Sequence, residues 1–115
     1  MSPAVLQREG VRLAGTYMLS EEDVRTGRRF DDEVALGCWP MEYWDAENGP
    51  QYTFTEENRT YGIPARCLHS VNVHNLWTAG RSISAASGAL SSARVIGTAM
   101  ATGEAAGKAA VESLK

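Results

Sequence analysis

The chain has 115 residues, enough for one hydrophobic core and too few for two full domains. Its net charge of −3 comes from acidic and basic residues interspersed along the sequence, so no basic stripe marks a nucleic-acid partner. No run approaches the roughly 20 apolar residues of a membrane span, and the N-terminus, MSPAVLQREG, has no apolar stretch of signal-peptide length, so a soluble, cytoplasmic protein is expected.

Two textures divide the chain. Residues 1–71 are rich in aromatics, charge and turn signals, whereas 21 of the 32 residues from Ala79 to Ala110 are Gly, Ala or Ser. An internal boundary is therefore placed between 1–71 and 72–115.

In chain order, Val11, Leu13, Gly15, Tyr17 and Leu19 alternate with other residues at the period of a strand. Ser20 then caps a helix, with Asp23 at capping-box spacing, Glu21 and Glu22 favourably placed against the helix dipole, and Gly27 as the stop. Phe30, Val34 and Leu36 suggest a second short helix ending at Gly37. The segment CWPMEYW reads as extended and broken by Pro40, and Asp45 to Pro50 as a turn. Gln51–Thr55 and Tyr61–Leu68 read as the two strands of a hairpin, with Pro64 confining the second to an edge or a ladder start.

Beyond residue 71, Asn75–Ala79 reads as a strand entering a turn at Gly80. Ser82–Ser92 reads as an irregular small-residue loop, and Ala93–Leu114 as a helix running to the C-terminus. The expected fold class is α+β: an antiparallel sheet with short helices, followed by the last strand and helix of a nucleotide-binding, Rossmann-like edge.

The last helix carries Gly97, Gly103 and Gly107, which together forfeit about 3 kcal/mol of intrinsic helix stability relative to alanine. Ala99, Gly103 and Gly107 recur every four residues on one face, where another element could approach with no side chain between. A tightly packed Ala/Gly helix of any α/β protein accounts for this equally. The opposite reading uses the helix start, whose unpaired amides and dipole would stabilise negative charge on a bound ring.

The stretch NLWTAGRSISAASGALSSARVIGTAMATGEAAGKAA resembles the C-terminal flavin-binding motif of the FAD-dependent oxidoreductases of the glutathione-reductase-like superfamily. REGVRLAGTYMLSEEDVRTGRRFDDEVALG and YGIPARCLHSVNVHNL resemble blocks of the same family in the same order, so nearly the whole chain is covered. The resemblance implies FAD as cofactor, and an N-terminal half that supplies the Rossmann strand, its GxGxxG loop and the ribose-binding acid. No GxGxxG follows a strand here, so FAD is not expected to be retained without that half. Residues 1–71 would then be part of a substrate or cap domain, and 72–115 the end of the FAD-binding domain.

Carried over onto this sequence, Ala79, Gly80 and Arg81 match the family's turn beside the cofactor's ribityl and pyrophosphate region. Related flavoproteins often carry an acid after this glycine. Arg81 departs from that pattern and suits either a phosphate or carboxylate contact or a plain surface position. Arg94, Val95, Ile96 and Gly97 match the helix start near the flavin ring, and Ser87 stands where relatives often carry histidine or another polar residue. Arg8, Glu9 and Arg12 match an arginine-rich motif, with Arg12 the candidate substrate or flavin contact and Arg8 better read as a solvent-facing strand edge.

Cys38 and Cys67 fit reduced thiols better than a disulfide, and Cys67-x-His69-x4-His74 matches no common zinc spacing, so no metal is expected. His69 and His74 read as strand-end and loop residues rather than catalytic bases, and no catalytic residue is assigned. Trp39, Tyr43, Trp44, Tyr52, Phe54 and Tyr61 read mainly as core of a small sheet, with a substrate wall or subunit interface as the alternative for some. Asn58-Arg59-Thr60 would be a glycosylation acceptor only in a secreted protein. Two functions follow: the C-terminal portion of a flavin-dependent oxidoreductase, inactive alone, or a non-catalytic module that self-associates as a homo-oligomer or docks on another protein.

Overall fold

The computed structural model describes residues 11–114, apart from the Trp44 side chain. The expectations for Arg8 and Glu9 fall outside that range. Residues 11–19 are extended but form no strand. Their amides are shared among separate partners: Leu13 N–H donates to the Ser82 carbonyl, Thr16 to Arg66 and Leu19 to Ser84. Only isolated bridges result, Gly15 with Ser70 and Leu19 with Ala85. A Cβ on Gly15 would lie 2.6 Å from the Arg66 carbonyl oxygen, so glycine is what allows this segment to thread so closely.

Helix α1 (Glu21–Thr26) forms as its caps dictate. Ser20 Oγ accepts from the Asp23 amide, the Asp23 carboxylate accepts from the Ser20 amide, and Gly27 closes the helix with φ +69°. The expected second helix is instead strand β1 (Glu33–Gly37). Phe30 and Val34 share helical spacing, but from Val34 onward burial alternates, with Ala35 and Gly37 inside and Val34 and Leu36 outside. Period two wins because β4 (Tyr61–Pro64) offers an antiparallel ladder, Gly37 opposite Tyr61 and Glu33 opposite Pro64.

The hairpin expected between residues 51–55 and 61–68 is also corrected. Strand β3 (Gly49–Thr53) pairs with β2 (Met41–Asp45), from Met41 opposite Thr53 to Asp45 opposite Gly49. The turn signal DAENGP closes this ladder itself. The Asp45 carboxylate accepts from the Glu47 amide at 2.8 Å, and Gly49 takes φ +76°. Strand β4 stops at Pro64, and the chain continues as a 3₁₀ turn over Ala65–Cys67.

Residues 75–79 do not form the expected Rossmann-like strand. Trp77 makes one bridge to His69, Thr78 N–H donates to the Leu68 carbonyl, and no longer ladder follows. The expected loop over 82–92 is partly helical: α2 spans Ser87–Ala93 and α3 spans Ile96–Glu112. Ala89, Leu90 and Ala93 are fully buried, which draws the small-residue stretch into a helix by packing rather than propensity.

The architecture is α+β with two small antiparallel sheets and short helices. Leu19, Val24, Tyr61, Ile63, Leu68, Ile83 and Leu90 form the core. The β1–β4 sheet carries α3, while α2 lies against β2. The aromatic cluster divides: Tyr61 is fully buried, its hydroxyl bonded to Ser92, but Trp39, Tyr43, Tyr52 and Phe54 are exposed. A two-stranded hairpin has too little surface on one face to cover its own large side chains.

Candidate functional site

The turn at Ala79–Arg81 and the first half of α3 are built against one another. Gly80 adopts φ +64°, a conformation that L side chains seldom take, and opens a 3₁₀ turn over Gly80–Ser82. Its amide donates to Thr102 Oγ1 at 3.1 Å, and that hydroxyl donates in turn to the Ala99 carbonyl at 3.0 Å. Thr102 is fully buried, on the face that α3 turns inward with Thr98 and Ala106. A buried hydroxyl inside an Ala/Gly helix therefore fixes the height of the Gly80 turn on α3. Sequence reasoning did not single out Thr102, although Thr98 and Thr102 stand four apart among small residues and mark the inward face.

The other matched residues surround the same region. Ala79 is half-buried and packs on the core, while Arg81 and Ser87 are exposed, Ser87 opening α2. Arg94 links α2 to α3, and its guanidinium lies 3.9 Å from the Glu42 carboxylate, with both side chains mostly buried. Glu42 is held by its own amide donating to Ser91 Oγ at 2.8 Å, so strand β2 positions the acid that Arg94 meets. No sequence signal pointed to Glu42, since it lies 52 positions from its partner. Val95 is the N-cap of α3, with no side chain bonded to the first turn. Ile96 is 79% exposed, and a Cβ on Gly97 would meet nothing within 4 Å.

The helix start is thus exposed among the described residues, its N-cap Val95 makes no side-chain cap bond, and it carries the positive end of a 17-residue helix dipole. These features fit a polar or anionic edge of a bound ring. Gly103 and Gly107, by contrast, face open space rather than a packed neighbour, so the close approach expected on their face is not made within the described residues. Arg12 sits on a separate surface feature. It lines a surface groove with Asn72, Val73 and Trp77, and the neighbouring Leu13 amide donates to the Ser82 carbonyl of the Gly80 turn.

The remaining constellations read as structural. His69 stacks on Trp77 with ring centroids 4.2 Å apart, and its Nε2 is 2.6 Å from the His74 carbonyl oxygen. Burial pushes the Cys67 thiol up to about 12, so it is no nucleophile near neutral pH. Among the described residues, no group of three His, Cys, Asp or Glu side chains is placed to hold a metal ion. No helix among them is long and apolar enough to cross a membrane.

No curated protein and no solved structure matches the chain. A family model described as FAD dependent oxidoreductase matches residues 1–115, which is the whole chain. The protein belongs to the FAD dependent oxidoreductase family.

Proposed function

We propose that the chain is the C-terminal portion of an FAD-dependent oxidoreductase. In this reading residues 72–115 close the FAD-binding domain at its Rossmann-like edge, and residues 1–71 contribute to a substrate or cap domain. The observation that carries it is the exposed start of α3, whose N-cap Val95 makes no side-chain cap bond, beside a left-handed Gly80 turn anchored on Thr102. FAD, when bound, supplies hydride exchange with an organic substrate at its ring system. The chain's own part is to bind and orient. The backbone of Ala79, Gly80 and Arg81 would pass close to the ribityl chain, and the amides of Val95, Ile96 and Gly97 would offer hydrogen-bond donors and about half a unit of positive charge to the ring edge. The Arg94–Glu42 pair holds the α2–α3 junction in place, while Arg12 and Ser87 are the candidate substrate contacts.

Pyrophosphate binding falls to an N-terminal half with a phosphate-cradling loop, so the chain alone is expected to be catalytically silent. Purified alone, it should lack flavin absorbance. Combined with a phosphate-binding half from a flavoprotein of the family, it should retain FAD, and Gly80→Val should abolish that retention. Stoichiometric FAD on the isolated chain would overturn the division of labour. Retention unaffected by Gly80→Val would overturn the assignment of the turn.

A second reading is favoured by exposed apolar surface. Ile96, Met100, Val111 and Leu114 on α3 are all more than half exposed, as are Tyr43 and Phe54 of the hairpin region. Such a surface suits self-association as a homo-oligomer or docking on another protein.

A further inference from the structure

The exposed face of α3 has an order that specifies its own complement. At about 100° per residue, Ile96, Met100, Gly103, Gly107 and Val111 fall within an arc of roughly 80°, opposite the buried Thr98, Thr102 and Ala106, and Leu114 follows just past the helix end. Along this stripe two large apolar residues are followed by two glycines and then by Val111, with Leu114 beyond the last turn, so bulk flanks the glycines at both ends. Ile96 and Leu114 are 79% and 84% exposed, Met100 and Val111 71% and 58%. Among the described residues, nothing lies within 4 Å of a Cβ placed at Gly103 or Gly107.

From this we infer that two copies of the chain pair through α3 in antiparallel orientation, related by a twofold axis near residue 105. The inference rests on the self-association reading above and specifies its geometry. Antiparallel alignment sets Met100 against Val111 of the second copy and Gly103 against Gly107. Bulk then covers bulk at the ends, and the backbones meet at the glycines.

The flanking charges select this direction over the parallel one. Glu104 and Lys108 lie on one side of the stripe, paired with each other at 3.0 Å and exposed to solvent. A twofold axis across antiparallel helices brings that side against itself, so Glu104 of each copy meets Lys108 of the other along that one flank. A parallel pair would bring this charged side against the Ala99 and Ala110 side, which offers no charge.

The test is sedimentation equilibrium of the full chain, with circular dichroism to verify folding. The unaltered chain is expected to be a dimer. Met100→Glu with Val111→Glu, both at exposed positions, should weaken it by more than about tenfold while preserving the fold. In a Cys38→Ser background, Gly103→Cys and Gly107→Cys chains should form a disulfide with each other on mixing, but neither should do so alone. In the antiparallel pair, two copies of residue 103 are about 6 Å apart along the axes before lateral separation, beyond easy disulfide reach. A monomeric unaltered chain would overturn both this inference and the association reading. A dimer untouched by the Glu pair, or one linked 103 to 103, would overturn the antiparallel α3 geometry alone.

Discussion

Replacing Thr102 by valine tests whether a single buried hydroxyl holds the Gly80 turn on α3. Valine matches threonine in shape and nearly in helix propensity, so the substitution leaves no cavity and isolates the hydroxyl. What it removes is the acceptor for the Gly80 amide, a part-buried bond of 3.1 Å. The Ala99 carbonyl also loses the hydroxyl that donates to it at 3.0 Å. An amide left without an acceptor in a dry site costs about 1–3 kcal/mol, and the partial exposure of Gly80 argues for about 1–2 kcal/mol here. A chain of this size should then melt roughly 4–8 °C lower. Thr102→Ser keeps the hydroxyl and loses one methyl group, costing about 1 kcal/mol with the turn still anchored. Hydrogen exchange separates the two variants. The Gly80 amide should exchange faster in Thr102→Val and stay protected in Thr102→Ser, and protection unchanged in both would refute the anchoring role.

Asp23 is buried and accepts from Tyr17 Oη, the Ser20 amide and Arg28. Burial pushes its pKa up, but the bonds from Tyr17, Ser20 and Arg28 outweigh that and hold it below the usual value. Its contribution is therefore present above the unfolded carboxylate pKa and lost as pH falls through the folded one. Asp23→Asn should destabilise the chain at neutral pH by about 1–3 kcal/mol and flatten the acid limb of a stability–pH curve. Glycines should divide by environment. A Cβ at Gly37 would collide with the ring of the fully buried Tyr61, so Gly37→Ala should cost about 1–3 kcal/mol in chemical denaturation. Gly107→Ala, with open space around it, should stabilise the monomeric helix by about 0.5–1 kcal/mol in the same assay. Thiol labelling of the native chain should modify exposed Cys38 and spare Cys67, whose reaction should appear only on unfolding.

Local chemistry was legible where the deciding groups are neighbours. The Ser20–Asp23 box and the Gly27 stop lie within one short segment, and all three do in the structure what their side chains predispose them to do. The turn over DAENGP was legible for the same reason, since the Asp45 carboxylate and Gly49 carry its geometry. Pairing was not legible, because it depends on competition between distant segments. Tyr61–Pro64 could pair with residues 51–55 or with 33–37, and the second wins where Gly37 gives room for the buried Tyr61 ring. Residues 11–19 had the alternation of a strand, yet their partners are loops that leave after one or two hydrogen bonds.

At the candidate site the division runs between backbone and side chain. The motif around Gly80 and the helix beginning near Arg94 carry backbone requirements, a positive φ and a helix start, and these are written in residue type. The groups that support them are not. Glu42 reaches Arg94 because β2 lies against α2, and Thr102 reaches Gly80 because α3 turns that face inward. Both are ordinary residues until the fold brings their partners to them. The glycines of α3 show the converse: their spacing marks a face where backbone could come close, but nothing in the spacing says which surface would come. Within the described residues that face remains open, so the helix carries the roughly 3 kcal/mol cost of its glycines with no packing gain from the chain itself. Any surface that closes on it, whether a second α3 or the remainder of a flavin domain, gains from a cost already incurred in folding. Antiparallel α3 pairing and completion of a flavin domain by the same stripe are therefore competing outcomes, and adding a phosphate-binding half should dissociate the dimer if both use it.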